Sequence, residues 1–172
     1  MSKVGFGMIK TILCALILMT SFLGISLKAF QGRDYLNTKE VERLQEAQRI
    51  DLRISVLVTA ANRRFVLLGS RLPVKKSGRD WGDEPIGTRE ELLRDVDKIL
   101  MKAIDDIDYA ATQETSTKFF KSGFNSLKKA CDEYEGFFRK LLDETEGDRE
   151  KGLLLNSLER CAQVSEAFEK FR

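Results

Sequence analysis

Apolar residues recur every three or four positions along most of this chain, the spacing of one helix face and not of a strand. The first run passes through Ala47, Ile50, Ile54, Leu57, Ala61, Phe65 and Leu68. Asn37 and Glu40 open it with the spacing of a capping box, and Gly69 follows as a stop. Ile54 to Val58 alone fits a strand, but the helical spacing on both sides rejects that reading. A second run begins at Thr88, with Glu91 completing a capping box, and carries Leu92, Val96, Ile99, Ala103, Ile107 and Ala110. The polar stretch from Thr112 to Ser116 predicts an antiparallel return. The third run alternates steps of four and three through Phe120, Phe124, Leu127, Cys131, Tyr134, Phe138 and Leu141, which is a heptad seam. Phe119, Ala130 and Phe137 widen it. Gly147 is expected to end that helix and Asp148 to cap the next. The fourth run is Leu154, Leu158, Cys161, Ser165 and Phe168, widened by Leu155 and Ala162.

These elements predict an all-α chain: an antiparallel four-helix bundle over residues 30–172, running up-down-up-down. Both prolines, Pro73 and Pro85, fall in one long loop at 69–87, the single clear break in the pattern.

Residues 1–29 have a different layout. Lys3 and Lys10 precede the uncharged stretch Thr11–Leu27, and Lys28 and Ala29 close it. Basic, apolar and then small is the order of a secretory signal peptide. As a helix the apolar part is about 26 Å long at ~1.5 Å per residue, short of the ~30 Å of a bilayer core. The expectation is a cleaved signal, with an uncleaved inner-membrane anchor over residues 11–27 as the alternative. Cys14 sits too early in the run to be a lipidated cysteine and reads as one of its small apolar residues.

Composition narrows the chemistry. The chain contains no histidine, which removes His-dependent triads, HExxH zinc sites and the Glu-x-x-His di-iron motif. Three cysteines are too few for a four-Cys zinc site. The slight positive balance belongs to the first 29 residues; without Lys3, Lys10 and Lys28 the remainder has one acid in excess. Such a domain has no general field to draw nucleic acid or anionic lipid. No catalytic constellation, cofactor motif or metal-ligand set stands out.

Cys131 and Cys161 are equidistant from Glu146, in the predicted turn, and both lie on inward stripes. Opposed helices would put the two sulfurs at one height, and an oxidising compartment would keep a disulfide between them. The alternative is two reduced, buried cysteines that serve as small apolar residues. Asp51 falls between Ala47, Ile54 and Val58 on an inward face. It is expected either to pair with an arginine from another helix or to sit at the stripe's edge and reach water. Asp95, Asp97, Asp105, Asp106 and Asp108 are spread around the second helix and read as a solvated face, not a converging acid–base or metal site. Trp81, the only tryptophan, is either an exposed anchor for a partner or an aromatic folded back over a bundle end, with the second favoured. Phe120, Phe124 and Phe138 either fill the core or line a ligand cavity.

The segments LNTKEVERLQEAQRIDLRISVLVTAANRRFVLL and LLRDVDKILMKAIDDIDYA, followed by a long helix with a phenylalanine-rich face, resemble a loose group of exported helical proteins of bacteria. The resemblance implies an exported α-helical domain and brings no activity and no site residue with it. The reading is therefore a periplasmic or secreted, non-enzymatic binding or structural protein with an envelope protein as partner. An apolar-ligand carrier with a cavity in the bundle core is the second reading, and a carboxylate- or metal-dependent enzyme the third.

Overall fold

The apolar stripes do what their spacing requires: they meet. The structure is a computed structural model that describes residues 33–70, 80–113 and 118–171. The expected signal segment, Cys14, Pro73 and residues 114–116 of the polar break lie outside them. Five helices and no strand are present among the described residues: α1 Thr38–Glu46, α2 Ile50–Leu67, α3 Arg89–Gln113, α4 Lys118–Asp143 and α5 Asp148–Phe171. Asp34–Arg172 form one compact unit.

The predicted first helix is two helices. The capping box is present: Asn37 Oδ1 accepts from the Glu40 N–H at 2.8 Å, and Glu40 Oε2 accepts from the Asn37 N–H at 3.0 Å. The helix then stops at Glu46, and Ala47 and Arg49 leave helical geometry. The elbow lets α1 fold back on α2. Arg53 holds it there, donating to the Leu44 carbonyl at 3.0 Å and the Ala47 carbonyl at 3.4 Å. At the far end of α2, Gly69 takes a φ of +88°. The Gly69 N–H donates to Val66 and the Ser70 N–H to Phe65. That bond pair is a Schellman cap, and the positive φ is why glycine stands there.

The core gathers one face from each long helix. Every residue of the predicted α3 stripe is buried, and so is all of the α4 seam from Phe120 to Leu141. The α5 face is rotated from the expected one. Ser157 and Val164 are buried beside Leu154 and Cys161, whereas Leu158, Ser165 and Phe168 are half-buried and Leu155 and Ala162 are exposed. Gly147, not Asp148, stands before the first residue of α5 and accepts the Lys151 N–H at 3.0 Å.

Residue pairs fix the directions. Phe124 meets Phe168 with ring centroids 5.2 Å apart and Phe120 meets Phe171 at 5.1 Å, so α4 and α5 run oppositely. Arg53 pairs with Asp106 and Arg64 with Asp95, so α2 and α3 do too. In contrast, α2 and α4 run the same way: Gly123 lies against Ile50 and Asp51, and Phe65 lies against Tyr134 and Phe138. So do α3 and α5, through Arg89–Glu150 and Asp97–Arg160. Directions alternate along the chain as expected, but α3 and α4 touch only lightly and α2 and α5 not at all. The order around the core is thus α2, α3, α5, α4, and two of its four contacts are parallel. One physical reason is at Gly123: a Cβ there would stand 3.3 Å from the Asp51 Cα and would press α4 a few tenths of an ångström away from α2.

Candidate functional site

Three features stand out against the apolar packing: a buried ion cluster, a pair of buried thiols and an open cleft at one end. The first is a buried ion cluster. Glu40 is fully buried beneath α1. Arg64 donates to both of its oxygens, at 2.6 and 2.8 Å, and Arg63 donates to Oε1 at 2.7 Å. Arg64 also holds the Tyr35 carbonyl at 2.7 Å and lies 3.7 Å from Asp95 on α3. Arg63 turns outward to the carbonyls of Trp81, Gly82 and Asp83. One carboxylate therefore ties α1, α2 and the 80–83 loop together.

Trp81 belongs to this clasp. Asn37 donates to its carbonyl at 3.0 Å, and the Arg43 guanidinium lies 4.7 Å above its ring. Arg43 also donates to the Asp80 carbonyl. The indole is half-buried, held beside α1 by these contacts.

The aspartates of α3 are mostly not a solvated face. Asp95 is buried toward Arg64. Asp97 takes Arg160 of α5 at 2.7 Å. Asp106 takes Arg53 of α2 at 3.1 Å and also Lys102. Only Asp105 and Asp108 are exposed. Asp95, Asp97 and Asp106 each engage cations from a neighbouring turn or helix, and among the described residues no three metal-ligating side chains cluster. Asp51 is half-buried at the edge of the α2 stripe and pairs with Arg49 at the elbow, Nη2–Oδ2 2.7 Å, and not with an arginine from another helix. The hydrogen bond from Arg49 holds the Asp51 carboxyl below its ordinary range.

The second feature is the thiol pair. Cys131 is 1% and Cys161 2% exposed, and both are free thiols, so the expected disulfide is absent from this structure. The opposed run of α4 and α5, fixed by Phe124 on Phe168 and Phe120 on Phe171, sets the two cysteines at one height, both buried in the same core. Interaction with the Cys161 thiol, and burial after it, push the Cys131 thiol far above its ordinary 9.0. One turn on, Tyr134 donates to Asn62 Oδ1 at 2.6 Å, and burial raises its phenol well above 10.0. Both groups stay protonated in the folded chain while the unfolded chain ionises them. The unfolded state then binds fewer protons, so stability is complete below about pH 9 and falls as pH rises further. Melting temperatures measured from pH 7 to 11 should begin to drop near pH 9. Tyr134→Phe should flatten the fall above pH 10; an unchanged slope would show that the phenol is not held protonated.

The third feature is an open cleft of about 920 Å³ at the elbow end. Ile50 and Ala110 form its buried floor, and the Arg53–Asp106 pair and Phe119 also line it. Arg49 stacks over the Phe119 ring at 4.0 Å, with Lys118 at 5.2 Å from the same ring. Tyr109, 72% exposed, stands at the rim with the amides of Gln48 and Gln113. This site joins α1–α2, α3 and α4, and no run in the sequence marks it. Its one signal is Phe119 beside the seam, next to a lysine. The cleft that touches Phe124 holds only about 160 Å³ and lies between α3 and α5. Phe124, at 5% exposure, packs in the core beside Phe120. Phe120 and Phe138 are fully buried in the same core.

Comparison with protein-family models, with curated proteins and with solved structures gives no match. No helix among the described residues is long and apolar enough to cross a membrane.

Proposed function

We propose that this chain is a non-enzymatic binding protein of the cell envelope, exported by residues 1–29, whose partner docks at the elbow cleft. Its helices α2–α5 act as a four-helix bundle that presents the cleft on a stiff frame. Under oxidising conditions its two inward cysteines become a cross-link. The signal-like layout of the N-terminus and the resemblance to exported bacterial helical proteins support the location. The absence of histidine and the pairing of the α3 acids to cations support a binding role over a catalytic one. The observation that carries the site is Tyr109, an aromatic mostly in water at the rim of a cleft floored by Ile50 and Ala110. Exposed aromatics beside arginine are frequent anchors of protein contacts.

The test is a photo-crosslinking residue in place of Tyr109 in native cells, with the same residue in place of Leu155, exposed at the opposite end of the molecule, as control. The expected result is one discrete adduct from position 109, weakened by Arg49→Ala and absent from position 155. Equal labelling at both positions, or none at 109, would overturn the reading.

A further inference from the structure

We propose that Cys131 and Cys161 form a cross-link site that reacts only while the α4–α5 hairpin is open, and that folding then seals whichever state, dithiol or disulfide, the pair has reached. In the cell this rests on the exported reading, because it needs an oxidising compartment; with purified protein it does not.

The argument begins with placement. The two cysteines stand at one height on adjacent, opposed helices, a register fixed by Phe124 on Phe168 and Phe120 on Phe171, and both are buried in the same core. Leu127, Tyr134, Leu154, Ser157 and Val164, the seam residues around them, are all buried. Exchange requires a thiolate to reach the sulfur of an external disulfide. In the folded chain no such approach exists, since both cysteines are covered. The Cys131 proton is also held tightly, so the nucleophile is scarce at neutral pH. In the unfolded chain both obstacles vanish, and the two residues are separated by a loop short enough to close readily.

The chemistry balances with one co-reactant, a disulfide such as oxidised glutathione or that of an exchange catalyst. Cys131 loses its proton and its sulfur attacks the external disulfide, which breaks and releases one thiol. Cys161 loses its proton and attacks the mixed disulfide, releasing the second thiol. One S–S bond forms in the chain, and two electrons pass to the external disulfide, which leaves as two thiols carrying the two protons. Collapse of the seams then covers the new bond as it covers the dithiol.

The experiment uses the purified full chain with Cys14→Ser, reduced and then treated with oxidised glutathione at neutral pH. One sample is folded throughout; the other is diluted from denaturant into the same oxidant. Aliquots are quenched by alkylation, and peptide mapping by mass spectrometry locates the bonds. The expected result is a Cys131–Cys161 link in the refolding sample. The folded sample should react about a thousandfold or more slowly, in step with the small fraction of unfolded chain. Cys161→Ser should yield only a glutathione adduct on Cys131 during refolding. Equal rates in the two samples, or refolded chain carrying two glutathione adducts and no internal link, would overturn the inference. An internal link in vitro together with two free thiols in protein taken from cells would leave this chemistry standing and defeat the exported reading instead.

Discussion

Glu40→Gln is expected to cost about 3–5 kcal/mol, the range for removing one partner of a buried ion pair. The glutamine keeps the shape but leaves Arg64, itself 2% exposed, and Arg63 without their shared carboxylate. Asp95 at 3.7 Å is too far to replace two bonds shorter than 3 Å. Because α1 and the 80–83 loop hang on the same oxygen pair, the loss should also be local. Amide exchange should rise first at Val41, Leu44 and Gly82, before the α4–α5 core opens. Urea denaturation gives the global value and exchange gives its location. A midpoint within the error of the parent would mean that the cluster does not hold α1.

Phe65→Ala is expected to be equally damaging, at about 3–5 kcal/mol for a buried phenylalanine. Phe65 is fully buried and touches three rings at once: Tyr134 at 4.5 Å, and Phe137 and Phe138 at 5.3 Å each. It is the point where α2 meets α4, so its loss leaves a cavity lined by aromatics that cannot all move in. Phe65→Leu should recover more than half of the loss by refilling most of the space. Thermal melts of the two variants against the parent check this. A Phe65→Ala protein that melts like the parent would show that α2 does not pack on α4.

What the chain reveals in one dimension is the part of the fold that repeats. The stripes Val96–Ala110 and Phe120–Leu141 are legible because burial on a helix returns every three or four residues, and all of their members are buried. The elbow at Ala47–Arg49 is invisible by the same logic. Ala47, Ile50 and Ile54 keep helical spacing straight through it, and no proline or glycine marks it. It exists because α1 gains more by folding back, where Glu40 reaches Arg64, than by extending α2 into water. Such a gain comes from residues far apart in sequence. One hint was present: Arg64 stands on the inward face beside Phe65, where a charge needs a partner. The α3 aspartates are similar. Their spread around the helix is real, but arginines of α2 and α5 reach three of them across the helix contacts. The rotated face of α5 has a related cause. Ser157 and Val164 turn inward and leave Leu155 in water.

The α4–α5 hairpin carries the core, the thiol pair and the frame behind the cleft, so its geometry is the fact to measure. Spin labels at Asn125 and Ala167, both exposed, in a chain with its native cysteines replaced by alanine, report it through a single dipolar distance. Helices that turn back at 144–147 and pack at the usual 8–10 Å should give a narrow distribution at about 10–20 Å. One continuous helix through Gly147 would give about 60 Å at ~1.5 Å per residue and would contradict the account.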